Sequence, residues 1–313
     1  MKLGVALGPQ NIAWPEILDV GVRADRLGFH SFCLFDHLLP LSRSLDDPVL
    51  ETWTMMGALA HATERIRLGT LVTANTLRAP ALLAKMVATV DHISAGRVYL
   101  GLGAGYYVAE HRAYGIPLPP RPQRAAMLDE ACQILKGLWR SSGRFSFDGD
   151  HYTIVDAPFS PRCVQAGGPP LLLGGAGTLT LRTTARHADQ WNLPPGSAGV
   201  TPDDLVRKLE ALAAICAGEG RDPATIEISA SKIVFVDGDR RRALERRRQF
   251  AADRGMTEET AARHVLADDP QGVIEELRRW EAAGTEHFSM TLVAGTHGGD
   301  MELFAERVMA AWT

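Results

Sequence analysis

The chain has few of the features that mark disulfide-rich, metal-binding or membrane-embedded proteins. Cysteine is scarce, with four residues among 313, and they lie far apart, at Cys33, Cys132, Cys163 and Cys216. Because no CxxC pair occurs, they fit a reduced cytosolic protein better than a disulfide framework or a zinc site. There is no HExxH motif and the histidines are scattered, so we predict no metal centre. No apolar run approaches the roughly 20 residues that a membrane-spanning helix needs.

A large excess of charge of either sign is also missing. Lysine and arginine total 33 residues against 37 acidic ones, which gives a formal net charge of −4 and a pI near 6.2. Without a long basic stripe, we expect no nucleic-acid partner. The arginines at 240–242 and 246–248 alternate with Ala, Leu and Glu, which indicates a solvated helix face. No charged-then-apolar leader precedes the first strand-like run, so we expect a cytoplasmic protein with no membrane segment.

Strand-like and helical patterns alternate along the whole chain. Residues 66–72 and 97–103 are near-continuous apolar runs, as expected of strands in a parallel sheet that is covered on both faces. Eight strand-like runs, from residues 2–7 through residues 227–236 to residues 287–293, alternate with helical patterns, among them one near 202–218 and a last helix over 300–311. The sequence therefore predicts an α/β fold, a (β/α)8 TIM barrel that forms one domain over residues 1–313.

Two regions are longer than ordinary connecting loops. Residues 141–169 are rich in turn residues and contain the hairpin-like pattern FDGDHYTI, whereas residues 237–283 predict two or three extra helices. We interpret both as insertions at the C-terminal face of the strands, where long ordered segments serve as lids or substrate walls. A packing or dimerisation element is the alternative for each, and a homodimer is the expected assembly.

The pair Asp36-His37 follows the second strand, at the end where barrel enzymes place their chemistry. A histidine there exchanges protons near neutral pH. Asp36 is positioned either to orient that histidine or to bind a polar ring. The competing interpretation is a buried histidine with a purely structural role.

Two glycine-rich turns follow later strands. GLGAG at 101–105 is not a dinucleotide fingerprint, because Tyr106 stands where that motif needs glycine. Its glycines suit close approach of a flat ring or a phosphate to the backbone, or simply a tight turn. GGAG at 174–177 opens a helix, where free amides bind anions and where Arg182 and Arg186 add positive charge. A glycine-rich helix cap is the alternative there. Neither a P-loop nor the GxSxG motif of hydrolases occurs.

Taken together, these segments resemble the bacterial luciferase-like (LLM class) superfamily, and most closely its branch of oxidoreductases dependent on the deazaflavin coenzyme F-420. The matching pieces are FDH at 35–37, the run at 68–97, LGLGAGYYVAEHRAYG at 100–115 and PPLLLGGAGTLTLRTTARHADQWN at 169–192. They cover nearly the whole chain in order. The resemblance implies a TIM barrel with an inserted region and a flavin-like cofactor bound across the strand C-termini.

The resemblance also implies roles for residues 36–37, 71–72 and 104–105, which lie at or just after predicted strands. Asp36 is similar to the family's residue beside the polar edge of the deazaflavin ring, and His37 to the active-site histidine beside the reacting ring carbon. Leu71-Val72 falls where several members have a non-prolyl cis peptide that forms a bulge behind the ring. Ala104 and Gly105 match a turn that contacts the cofactor.

The phosphate cradle of the family matches Gly175, Ala176 and Gly177. Tyr106 stands where a sugar-phosphate dehydrogenase branch has a catalytic acidic residue. The resemblance therefore argues against a sugar-phosphate substrate and leaves the proton-transfer partner of the histidine unnamed.

The leading functional hypothesis is hydride transfer between coenzyme F-420 and a small organic substrate. The alternative is a monooxygenase of the same superfamily that uses reduced flavin mononucleotide (FMN) and dioxygen. A third class is a barrel that binds flavin without catalysis, and the intact Asp36-His37 pair argues against it. Superfamily members with similar barrels use either ring, so the bound cofactor decides the reaction class.

Overall fold

The apolar runs of the sequence form the strands of a barrel in a computed structural model that describes residues 1–41, 44–194, 199–293 and 299–312. The strands are β1 (Lys2–Leu7), β2 (Ser31–Asp36), β3 (Arg67–Ala74), β4 (Leu100–Gly103), β5 (Arg144–Asp148), β6 (Thr153–Pro158), β7 (Leu171–Gly174), β8 (Gln190–Leu193), β9 (Glu227–Val236), β10 (Val265–Asp268) and β11 (His287–Leu292).

Eight of the strands in the described ranges close into a parallel barrel. Their order is β1, β2, β3, β4, β7, β8, β9 and β11, and β11 pairs with β1 to complete the ring. The closing register runs from Lys2 opposite His287 to Leu7 opposite Leu292. The prediction of a (β/α)8 barrel is confirmed.

Helices surround the barrel, and the longer ones bury an apolar face against it. They are α1 (Trp14–Arg26), α2 (Thr52–Ala62), α3 (Pro80–Ile93), α4 (Val108–Ala113), α5 (Arg121–Arg140), α6 (Thr178–His187), α7 (Pro202–Gly218), α8 (Arg240–Arg254), α9 (Glu258–His264), α10 (Pro270–Ala282) and α11 (Asp300–Leu303). Helix α1 buries Ile17, Val20 and Ala24, which recur at the three- to four-residue spacing of one helix face. The main core lies between the helices and the barrel wall, with Phe32, Trp191 and similar side chains fully buried. None of the described helices is long and apolar enough to cross a membrane.

The segment 141–169 contains the predicted hairpin. Strands β5 and β6 pair antiparallel, and the Glu130 carboxylate on α5 accepts hydrogen bonds from three successive amides of their turn. The segment joins α5 to β7, so both its ends lie at the N-terminal end of the barrel. Its turn nevertheless reaches the other end, because the amide of Asn75, just after β3, donates to the Tyr152 hydroxyl at 3.1 Å.

The segment 237–283 holds the helices α8, α9 and α10, together with a short strand that the sequence patterns did not predict. Strand β10 pairs with the C-terminal half of β9, from Ile233 to Val236, whereas β11 pairs with the preceding half. The last helix also differs from the single helix expected over 300–311. It begins as α11 and continues as a π turn over Phe304–Val308 and a 3-10 turn over Met309–Trp312.

Candidate active site

The predicted site residues gather at one end of the barrel. They follow β2, β3, β4 and β7, which are consecutive neighbours in the sheet, so their C-terminal ends lie side by side. We use the name C-terminal rim for residues 36–37, 71–76, 103–110 and 174–177. Active sites of such barrels are built at this face.

His37 makes its contacts at the rim through one ring nitrogen. Its Nδ1 lies 3.2 Å from both carboxylate oxygens of Glu110, which comes from helix α4. The amide of Leu38 donates to the same carboxylate at 2.9 Å and fixes its orientation. Nδ1 therefore carries the proton, and Nε2 has no hydrogen-bond partner in the described part of the chain. His37 is half-buried, with 14% of its side chain exposed.

Glu110 is a buried acid that stays ionised. Burial raises the pKa of its carboxyl. The hydrogen bond and charge of His37 and the hydrogen bond from the Leu38 amide lower that pKa by more than burial raises it, so the net pKa lies below the ordinary value. Sequence reasoning missed this residue. The available signal was an acid in the first turn of the helix that follows the glycine turn 101–105.

Two tyrosines stand beside the imidazole. The rings of Tyr106 and Tyr107 each meet the ring of His37 edge-on, with centroids 5.7 Å apart. Tyr107 donates its hydroxyl to the Pro40 carbonyl at 2.9 Å and is thereby anchored, whereas 62% of Tyr106 is exposed. Tyr106 therefore forms an open aromatic wall next to His37.

Asp36 does not orient His37. Its carboxylate has no exposed surface and binds Arg78 at 2.7 and 3.1 Å and the Thr73 hydroxyl at 2.8 Å. Arg78 also binds Glu51, the residue that caps α2. Burial opposes the charge of Arg78, but these two acids raise the pKa of its guanidinium above the ordinary value. The side chain of Asp36 thus ties the end of β2 to Thr73 and Arg78. Its contact with the polar edge of the deazaflavin ring stays a prediction.

The peptide between Leu71 and Val72 is cis, as the resemblance predicts. The pairing of β3 with β2 shifts register across this point. The Val72 methyl groups lie close to three glycines of strands β4 and β7. A Cβ atom placed on any of these glycines would come within 3.2 Å of a Val72 methyl group; they are Gly101, Gly103 and Gly174. Glycine at these ends of β4 and β7 therefore leaves the space that Val72 occupies inside the barrel.

The turn at Ala104 and Gly105 is held by a hydrogen-bonded chain. Gly105 has a φ of +81°, which favours glycine, and a Cβ there would lie 2.4 Å from the Thr76 hydroxyl. His111 donates from Nδ1 to the Tyr107 carbonyl at 2.8 Å and accepts at Nε2 from Thr76 at 2.7 Å. This buried histidine is fully used by its neighbours and serves to shape the turn.

The turn 174–177 leads into α6 without a side-chain cap. Gly175 has a φ of +142°, and a Cβ there would meet Thr180 at 2.9 Å, so glycine is required. Ala176 packs against the core, and no atom of the described residues lies within 4 Å of a Cβ built at Gly177. Within that part of the chain, the first amides of α6 therefore face open space at a positive helix end.

The arginines expected to support this turn are not both available. Arg186 binds Glu219 at 2.8 Å and Asp129 at 3.6 Å, so its charge is compensated along α6. The expectation that Arg186 adds positive charge at the turn is wrong for this reason. Arg182 is exposed on the same helix.

One buried oxygen atom near the rim lacks a hydrogen-bond donor among the described residues. Asn75 is 1% exposed, and its Oδ1 has no hydrogen-bond partner in that part of the chain, although its amide nitrogen binds Tyr152. An unpaired buried acceptor costs free energy unless a further donor reaches it. No group of three or more metal-ligating side chains occurs among the residues that the structure describes.

The chain matches the model of a known protein family. The family model described as luciferase-like monooxygenase matches residues 1–311. The chain belongs to the luciferase-like monooxygenase family. The resemblance read from the motifs is thereby confirmed.

Similar members of the luciferase-like monooxygenase family include two named dehydrogenases. An F-420-dependent glucose-6-phosphate dehydrogenase from Intrasporangium calvum is 30% identical over 342 residues, with 99% of this chain and 97% of that protein covered. One from Beutenbergia cavernae is 28% identical over 337 residues, with 99% and 96% covered.

Solved structures of the same fold include enzymes with either kind of chemistry in their names. An F-420-dependent secondary alcohol dehydrogenase in complex with an F-420-acetone adduct has a TM-score of 0.88 at 23% identity, with 99% of this chain and 98% of that chain covered. A monooxygenase from Streptomyces bottropensis has a TM-score of 0.83 at 20% identity, with 100% of both chains covered.

Proposed function

We propose that the protein is an oxidoreductase that transfers a hydride between coenzyme F-420 and a small organic substrate. The observation that carries the proposal is the His37–Glu110 pair, which leaves the His37 Nε2 without a partner in the described residues, in a chain whose similar relatives are named F-420-dependent dehydrogenases. FMN, with dioxygen as co-substrate, is the competing cofactor.

The residues of the rim fit such a cofactor. The uncapped start of α6 and the open space over Gly177 suit an anionic tail, with Gly175 and Ala176 shaping the turn. Leu71 and Val72 support the ring from inside the barrel. The turn at Ala104 and Gly105 borders it, and the unpaired Oδ1 of Asn75 is available to a donor.

The chain's own part in the reaction is proton transfer and orientation. When bound, the deazaflavin ring supplies the carbon that accepts or donates the hydride. During oxidation of an alcohol, His37 takes the hydroxyl proton at Nε2 while the substrate carbon loses its hydride, which together remove two electrons and two hydrogens. Glu110 keeps the other proton on Nδ1 and stabilises the imidazolium ion that forms. In the reverse direction, the imidazolium returns its proton to the carbonyl oxygen.

Asp36 has a positioning role for His37. Its bonds to Arg78 and Thr73 hold the end of β2, and hence His37, against β3. The exposed face of Tyr106 covers the substrate side of the imidazole. A small substrate with an alcohol or carbonyl group suits this single proton-transfer residue.

Cofactor binding and oxygen dependence test the proposal together. The purified protein should bind coenzyme F-420 at about micromolar affinity or tighter, and FMN more weakly, in an equilibrium titration. Turnover with coenzyme F-420 should be the same in air and under nitrogen. Tight FMN binding with turnover that stops when oxygen is removed would replace the proposal with the flavin monooxygenase.

The proposal extends to assembly and compartment. Residues 1–313 act as one domain, with segments 141–169 and 237–283 as insertions, and the enzyme is a cytoplasmic dimer. The absence of a disulfide among the four cysteines supports a reducing compartment. Light scattering of the purified protein measures the assembly, and a monomeric mass would remove the dimer from the proposal.

A further inference from the structure

A second cavity lies on the outer wall of the barrel, away from the C-terminal rim. It has a volume of about 610 Å³ and opens between β9, β10 and the helices α8 to α10. Ligand pockets commonly span about 300–1,000 Å³, so the volume suits a small organic molecule. Its charged lining comprises Lys232, Arg247, Asp268, Glu275, Glu276 and Arg279, along with Arg278.

Lys232 is the unusual group in this cavity. It pairs in register with Met290, on the outer face of the barrel, and only 5% of it is exposed. Its Nζ lies 5.8 Å from the centre of the Trp280 ring. Within the described residues, Nζ has no hydrogen-bond acceptor and no carboxylate within ion-pair distance. Most of the side chain is buried but Nζ itself is not fully enclosed, so the ammonium group opens into the cavity, where an anionic ligand would supply the acceptor that it lacks.

Charges of both signs surround Lys232, since Asp268, Glu275 and Glu276 line the cavity together with three arginines. Burial lowers the pKa of its amine to about 8; Glu276 opposes this, whereas Arg263, Arg247 and Arg279 favour the neutral form. Arg247 binds Glu258 and Arg279 binds Glu276, so these two arginines are held in place beside the cavity. The amine itself is the donor that remains unused.

We propose that this cavity binds the phosphate group of a small organic phosphate, with Lys232 as the principal donor. A phosphate group compensates the charge of Lys232 and accepts several hydrogen bonds at once, with Arg279, whose side chain also lines the cavity, as a second donor. The helical arginine cluster at 240–248, a solvated face by sequence, contributes Arg247 to this wall. The site is independent of the proposed reaction at the rim.

Selective labelling of lysine tests the proposal on the unmodified protein. Pyridoxal 5′-phosphate condenses with a neutral amine with loss of water, and borohydride reduces the imine to a stable secondary amine. Peptide mapping should show Lys232 labelled about tenfold faster by pyridoxal 5′-phosphate than by pyridoxal, because phosphate binding concentrates the reagent. Inorganic phosphate should slow this labelling.

Lys136 is the matched internal control. Burial also lowers the pKa of its amine, but it binds Asp189 at 3.4 Å and does not line the cavity. It should react equally with both reagents and be indifferent to phosphate. The variant Arg279→Gln should reduce the preference at Lys232 for the phosphorylated reagent, whereas Lys208→Met should leave it unchanged.

Two results would overturn the site. Equal labelling of Lys232 by both reagents would show a reactive amine without phosphate recognition. Unchanged labelling in the presence of inorganic phosphate would show that the reagent does not occupy an anion site. Both readouts are independent of enzymatic turnover, so failure of the proposed reaction leaves them interpretable.

Discussion

The two ends of the barrel each hold a histidine inside a polar network, and they differ in whether any polar atom is left unused. At the C-terminal rim, His37 binds Glu110 through Nδ1, and its Nε2 has no partner in the described part of the chain. At the opposite end, His287 uses both nitrogens: Gln190 donates to its Nδ1 at 3.0 Å, and its Nε2 donates to the Ser31 hydroxyl at 2.8 Å.

The N-terminal end is organised for stability. Glu227 accepts from Lys2 at 2.6 Å and from Gln190 at 2.7 Å, and a cavity of only about 160 Å³ remains between these groups. Burial, followed by the charges of neighbouring groups, lowers the pKa of His287 to about 3. His287 therefore has no ring nitrogen left for a substrate, whereas His37 keeps one, and for this reason we expect His37 to be the reactive histidine.

Removal of His37 should give the largest effect. His37→Ala should lower kcat about 10²- to 10⁴-fold, the range expected for loss of general acid–base assistance. The dissociation constant of the cofactor should change little, whereas the melting temperature should fall because the buried Glu110 carboxylate loses its imidazole partner. Full activity in a folded variant would make His37 a structural residue like His287. Steady-state kinetics and a cofactor titration measure the two quantities.

At the opposite end, His287 should affect stability alone. The folded protein holds this histidine neutral to about pH 3, whereas the unfolded chain protonates it near pH 6.5. Stability is therefore lost as the pH falls from 6.5 towards 3, by roughly 3 kcal/mol between pH 7 and pH 4. His287→Gln should flatten that loss in urea unfolding and leave kcat unchanged at pH 7. An unaltered slope, or a fall in kcat with the fold intact, would contradict the comparison.

Replacement of Glu110 should have a smaller effect on catalysis than loss of His37. Glu110→Gln keeps an acceptor for Nδ1 and removes the negative charge, which is worth about 1.5–3 kcal/mol, or roughly 10- to 150-fold in kcat. The dissociation constant of the cofactor should change little, because the Glu110 carboxylate contacts His37 and the Leu38 amide rather than the turn 174–177. Asp129→Asn, which removes a surface partner of His187, is the matched control. An unchanged kcat in a folded Glu110→Gln variant would make Glu110 merely structural.

The glycine turn should give the smallest effect. Gly177→Val places a side chain into open space at an ordinary φ of −78°, so the fold should be retained. Cofactor affinity should fall about tenfold if the anionic tail lies over this turn. Gly175→Val is the less decisive variant, because strain at its positive φ also disturbs the backbone. Unchanged affinity in Gly177→Val would move the tail away from residues 174–177.

Local patterns were sufficient where local chemistry decides structure. The strand over Glu227–Val236 and the helix over Pro202–Gly218 match their predicted bounds, because apolar runs and a proline at the helix start are local signals. The strand β10 was missed since its four residues gain their pairing only from the free half of β9. The π turn in the last helix has no counterpart in its apolar pattern.

The sequence by itself determined the alternation of strands and helices, the glycine turns and the histidine at the end of β2, because each depends on the properties of neighbouring residues. Only the tertiary structure decided that His37 binds Glu110, 73 residues away in the chain. It also decided that the Asp36 carboxylate binds Arg78. The position of Lys232 at a cavity, with no acceptor among the described residues, is a third tertiary feature. The physical reason is that hydrogen bonds and charges act over a few ångströms in space. Closure of the barrel, rather than position along the chain, brings these groups together.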